Sequence, residues 1–211
     1  MRSKQAHRIG GYLQQNLSLN DDTAAVVSYG AEVALLAVFG LASILLVSVV
    51  LHSVSETLLI AFLLYFLRAT AGGAHCSNPV SCNIASAAVI PALGKLSAAW
   101  GLKLASIPFV SAVGALALIL VVRLAPVDHP NKPIRTARHR QRLKIMAAFL
   151  VACLVAIQLA TLTLADDKHL SLVAAISFAL AWEGVILTEA GWRVMAMFDW
   201  LVDTLGRRMR K

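Results

Sequence analysis

The run VALLAVFGLASILLVSVVL, residues 33–51, carries neither a charge nor a proline. A helix rises about 1.5 Å per residue, so roughly 20 apolar residues cross the hydrocarbon of a bilayer. This stretch therefore reads as a membrane span, and residues 107–122 and 145–164 repeat the pattern. Over 211 residues the hydrophobic fraction is 59% and the charged fraction 14%, too few charges to coat a soluble domain of that size. Backbone polar groups in lipid must be satisfied internally, which leaves helices or a closed barrel. Barrel strands would show alternating segments of about 10 residues, and none appear. The expectation is an all-α polytopic membrane protein.

Outward from that span the chain divides into seven stretches. Residues 1–20 place Ile9, Tyr12, Leu13 and Leu17 at helical spacing beside Arg2, Lys4 and Arg8, the pattern of an N-terminal amphipathic helix lying in the membrane interface. This polar start gives no reason to expect a cleavable signal peptide. Residues 21–71 hold the first two spans, capped at Asn20-Asp21-Asp22 and separated by His52-Ser53-Val54-Ser55. Gly72-Gly73 ends the second, and 72–82 is a small, polar loop broken by Pro79. Residues 83–124 hold two more spans, of which 85–100 is weak and contains Pro91; it either crosses or is re-entrant. Residues 125–144 form a polar loop with Pro126, Pro130 and Pro133 and a basic run. Residues 145–190 hold the last two spans, separated by Asp166-Asp167-Lys168, and 191–211 is an amphipathic tail ending in Arg207, Arg208, Arg210 and Lys211.

Charge sets the topology. Lys and Arg concentrate in the N-terminus, the 123–144 segment and the tail, and such segments stay cytoplasmic. The net charge of +8 therefore reflects membrane orientation and gives no reason to expect nucleic acid as a partner. Parity then requires six spans, or four plus a re-entrant pair, and puts 72–82 near the cytoplasmic face. The count of three cysteines is odd, which favours free thiols over a disulfide framework.

The densest chemistry lies in Arg68-Ala-Thr-Ala-Gly72-Gly73-Ala-His75-Cys76-Ser-Asn78-Pro-Val-Ser-Cys82. A thiol must lose its proton to act as a nucleophile, and a nearby imidazole can take it. In a straight helix His75 and Cys82 would share a face about 10 Å apart, too far for a hydrogen bond. Gly72-Gly73 and Asn78-Pro79 break the helix and allow the chain to fold back. Cys82 then falls at a helix start, where unpaired N–H groups favour a thiolate and an oxyanion. On spacing alone Cys76 competes with Cys82 as the nucleophile. A metal site of His75, Cys76 and Cys82 would lack a fourth ligand, so no metal is expected. Cys153 reads as a small core hydrophobe. Asn78, Ser81 and Ser86 are the nearest polar neighbours, and Glu183 is an ionisable group within a span. A small transporter or channel with Glu32 and Glu183 along its path is the alternative from another class; thiol alkylation should stop peptide cleavage and leave transport alone. A membrane acyltransferase using Cys82 is a third reading.

The arrangement of Arg68, Gly72-Gly73, His75 and Cys82 resembles the accessory gene regulator protein B (AgrB) family, and Ala125-Pro126-Val127-Asp128-His129-Pro130-Asn131-Lys132-Pro133-Ile134 is similar to that family's proline-rich loop after the fourth span. The resemblance extends over most of the chain in order, hydropathy and length. It implies a membrane cysteine endopeptidase of quorum sensing that processes a small amphipathic (AgrD-like) precursor into a cyclic autoinducing peptide, without a cofactor. It assigns the histidine to His75 and the nucleophile to Cys82, with Arg68, Gly72 and Gly73 in support; Asn78 and Ser86 are supporting candidates only by their nearness in sequence. Arg135, Arg138, Arg140 and Arg142 are the expected binders of an acidic tail on the precursor. Membrane lipids and a second copy of the chain, as a homodimer, are the other expected partners.

Both termini and the 123–144 segment should face the cytoplasm. In a single-cysteine background, a probe at position 136 should stay unlabelled by an impermeant thiol reagent in intact cells; strong labelling from outside would invert the topology.

Overall fold

A computed structural model describes residues 20–128, 134–164 and 169–208. The expected interfacial helix at 1–20 lies outside the described residues. Among the described residues seven helices follow in order: α1 (Asp21–Val50), α2 (Val54–Ala71), α3 (Pro79–Leu104), α4 (Ile107–Leu124), α5 (Ala137–Leu164), α6 (Leu170–Ile186) and α7 (Glu189–Arg208). The protein is an all-α polytopic membrane protein. Five of these helices, α1 to α5, are long and apolar enough to cross a bilayer, and α6 with α7 makes a sixth candidate bent by 87° at the break.

The chain divides into two units, Met1–Ser43 and Ile44–Lys211. In the first, the Asn20 side chain accepts the Thr23 N–H at 2.8 Å and caps α1 as its sequence suggested. Val26, Tyr29, Val38 and Phe39 stand exposed along this part of the helix.

In the second unit α6 is the axis, packed against α2, α3, α4, α5 and α7. It is apolar all round, as a buried helix must be, and Ala174, Ala175, Ala179, Leu180, Glu183 and Ile186 are all buried. Lipid supplies no hydrophobic drive between helices, so association rests on close contact of small residues. A Cβ on Gly101 would sit 2.6 Å from Ser171 Cα, and one on Gly94 would collide with the Thr57 hydroxyl. Gln158 of α5 donates to Val173 O at 2.8 Å and Ser177 Oγ at 2.6 Å, the kind of polar link that such interfaces use. Large apolar side chains such as Phe62, Leu102, Leu116 and Phe149 remain exposed and form the lipid-facing surface.

Pro91 lies inside α3 and is buried, yet the helix runs unbroken for 26 residues. The weak 85–100 stretch is therefore part of one helix long enough to cross. The Gly101–Ser171 and Gly94–Thr57 approaches bring the end of α3 to the starts of α6 and α2. At the opposite end, Val127 N–H reaches Ala71 O at 2.9 Å and Ala74 N–H reaches Ile186 O at 2.8 Å. Residues 72–78, 125–128 and 187–188 therefore share one end of the bundle.

Candidate active site

The loop after α2 is made by its glycines. Gly72 has φ +75 and Gly73 φ +130, conformations that side-chain-bearing residues rarely adopt, and they turn the chain out of the helix. Gly72 forms a parallel bridge with Val127, and a Cβ there would collide with the Val127 carbonyl oxygen. Ala74 is then fixed at both of its peptide groups. Its N–H donates to Ile186 O at 2.8 Å, and its carbonyl accepts Arg68 Nη2 at 2.9 Å. His75 and Cys76 follow directly, both half-buried.

The helix restarts at Asn78-Pro79. Asn78 is extended (φ −116, ψ 130), and its side-chain oxygen accepts the Val80 N–H at 3.0 Å. Proline at the first helical position has no N–H to leave unsatisfied. Cys82 thus stands in the first turns of α3, with its N–H bonded to Asn78 O at 3.1 Å. The loop is therefore 72–78, shorter than the sequence suggested. Of the N–H groups at this helix start, those of Val80 and Cys82 are already taken by Asn78.

Two cavities open on either side of Arg68. Cys82 lines one of about 350 Å³, together with Tyr65, Arg68, Ser86, Trp182 and Met195, and its wall is largely apolar. His75 lines the other, of about 610 Å³, with Arg68, Gly72, Asp128, Arg135 and His139. His75 and Cys82 thus line two separate cavities that share Arg68 and Ala69 as lining residues. Gly73 and Asn78 shape the backbone without lining either cavity.

The two thiols of this region differ. Burial first, and then the neighbouring Cys82 and Asp199, together push Cys76 up to about 12, while Arg68 pulls the other way. Its Sγ lies 3.6 Å from Met195 Sδ. Cys76 therefore stays a protonated thiol near neutral pH.

The basic segment also resolves into parts. α5 begins at Ala137, so Arg138, Arg140 and Arg142 belong to its first turns and not to a loop. Arg140 is committed within the protein, 2.7 Å from Asp128 and 3.4 Å from the Pro126 carbonyl. Arg138 and Arg142 are exposed and line neither cavity, whereas Arg135 lines that of His75. Glu183 is 1% exposed, and its carboxylate has no hydrogen bond among the described residues. It borders neither cavity, although its neighbour Trp182 does.

Sequence reasoning missed Asp128 as the partner of Arg140, and Trp182, Met195 and Asp199 as neighbours of the thiols. The only signals were an acidic residue beside a basic run and apolar positions spaced along the tail.

The family model for accessory gene regulator B matches residues 6–187. AgrB-like protein 2 of Clostridium perfringens strain 13 is 22% identical over 201 residues, covering 92% of this chain and 94% of that one. An AgrB-like protein of Clostridium perfringens strain SM101 is 20% identical with the same coverage. No solved structure matches the chain.

Gly72→Ala forces a strained φ and a collision at the bridge, and should destabilise the protein by about 1–3 kcal/mol. Thermal unfolding of the purified protein in detergent checks this; an unchanged midpoint would mean that the bridge does not fix the loop.

Proposed function

Because the chain belongs to the accessory gene regulator B family, we propose that it is a membrane cysteine endopeptidase, with Cys82 as nucleophile and His75 as general base. Family membership supports a role in processing the peptide precursor of the accessory gene regulator system. The observation that supports the finer reading is that the cavities lined by Cys82 and by His75 share Arg68 as a lining residue. Burial holds Cys76 protonated, which counts against it as the nucleophile.

In this mechanism His75 takes the Cys82 proton, and the sulfur attacks the carbonyl carbon of the scissile peptide bond. The developing oxyanion draws on the Arg68 guanidinium, since the nearest helix-start N–H groups are occupied. As the C–N bond breaks, His75 returns the proton to the leaving amine. The upstream fragment remains as a thioester on Cys82. A cysteine thiol or serine hydroxyl within that fragment then attacks the thioester, its proton passes through His75 to the Cys82 sulfur, and a thiolactone or lactone ring leaves. Exchange of one thioester for another is nearly isoenergetic, so hydrolysis must be suppressed by excluding water. The apolar wall of Tyr65, Trp182 and Met195 suits that task and an amphipathic substrate.

The active face is cytoplasmic in this reading, since Arg68, Arg123, Arg135, Arg138, Arg140 and Arg142 all lie toward it. An acidic segment downstream of the cut would enter the cavity of His75, where Arg135 supplies charge, with Arg138 and Arg142 near its approach. Arg140, already paired with Asp128, holds the loop instead.

Cys82→Ala and His75→Ala should each lower precursor cleavage more than about a hundredfold while the protein still accumulates in membranes. Cys76→Ser and Cys153→Ala should keep most activity, and Arg135→Gln with Arg138→Gln should raise KM with little change in kcat. Mass spectrometry of precursor incubated with each purified variant decides the matter; an active Cys82→Ala, or a dead Cys76→Ser, would reject the assignment.

A further inference from the structure

Asp199 lies beyond the residues that match the family model, and no role follows for it from that match. It sits on α7, one helical turn after Met195 and on the same face. Its Oδ2 accepts the Ser77 N–H at 2.7 Å. The Ser77 and Ser81 hydroxyls and the Asn78 N–H also lie near the carboxylate, and its Oδ1 has no hydrogen bond of good geometry. Met195, only 4% exposed, touches the Cys76 thiol and borders the Cys82 cavity. Two side chains of α7 therefore grip the segment that joins His75 to Cys82.

Other contacts hold the two ends of that segment. Ala71 and Ala74 anchor its beginning, through Val127 and Ile186. Beyond Cys76 the chain turns at Ser77-Asn78, and Asn78 then frames the start of α3 by receiving the Val80 and Cys82 N–H groups. A carboxylate that accepts a backbone N–H makes a charge-assisted hydrogen bond, stronger than a neutral one. At Ser77 it fixes the turn two residues after the imidazole and five before the thiol.

We propose that Asp199 is a positioning residue for the His75–Cys82 pair: its carboxylate holds the Ser77-Asn78 turn, and α7 thereby closes one wall of the site through Met195. This rests on the endopeptidase reading only for its kinetic consequence. The contact itself concerns the loop. A displacement of about 1 Å at a reacting pair can lower the rate about a hundredfold, so the effect falls on kcat, whereas substrate binding is distributed over both cavities.

The test uses the full-length protein in detergent, with two readouts. In a Cys82→Ser, Cys153→Ala background, the rate of Cys76 alkylation by N-ethylmaleimide reports the loop independently of proteolysis. Asp199→Ala should raise that rate at least about tenfold; Asp199→Asn removes the same charge beside the thiol but keeps one acceptor oxygen, so it should fall between, and the excess of Asp199→Ala over Asp199→Asn reports the lost cover. In the otherwise native chain, Asp199→Ala should lower kcat for precursor cleavage by about thirty- to a hundredfold with KM within about threefold, and Asp199→Asn should again be intermediate. Wild-type alkylation rates in both variants, an Asp199→Asn no better than Asp199→Ala, or full kcat in Asp199→Ala would each overturn the proposal. Absence of cleavage by the wild-type chain would instead count against the endopeptidase reading, and the alkylation rates would still decide the role of Asp199.

Discussion

Three connecting segments of this protein are held together by two backbone hydrogen bonds, Val127 N–H to Ala71 O and Ala74 N–H to Ile186 O. Between them sit Gly72 and Gly73, whose positive φ values let the chain pass where any Cβ would crowd Val127 or Ile186. Remote parts of the sequence thus become neighbours at a single residue, Ala74, which is fully buried. Everything chemical is referenced to that point. His75 follows it, Arg68 grips its carbonyl, and the polar loop that lines the His75 cavity hangs from the bridge beside it.

All three cysteines are free. Burial above all, and then the neighbouring Cys82 and Asp199, disfavours the Cys76 anion. Cys82 lines a cavity that Arg68 also lines. A thiol that stays protonated is a poor nucleophile, which counts against Cys76 in that role.

The spans were legible in the sequence because hydrocarbon imposes a length of about 20 apolar residues, and nothing in the tertiary structure can override it. The breaks at Gly72-Gly73 and Asn78-Pro79 were legible for a similar reason: each is a local backbone constraint. The start of α5 at Ala137 was not, since Arg138, Arg140 and Arg142 look like a solvated loop until Asp128 is seen opposite Arg140. Nor was the continuity of α3 through Pro91, because neighbouring helices can accommodate the freed backbone carbonyl at a membrane proline. The same holds for the two cavities and for Met195 beside Cys76, which are products of helix packing over more than a hundred residues of separation. The order of the site residues was thus readable, and their partners were not.

The close helix contacts in the bundle make its tolerance to substitution strongly directional. At Gly94, Gly101, Gly114 and Gly184 an added methyl would meet a neighbouring helix at once. At Phe62, Leu102, Leu116 or Phe149 the neighbour is lipid, which accepts any apolar shape. Outward-facing positions can drift freely among leucine, isoleucine, valine and phenylalanine while the inner seams stay frozen. A chain built this way has room to diverge in sequence on its lipid-facing side, where exchange among apolar residues costs no packing against a neighbouring helix.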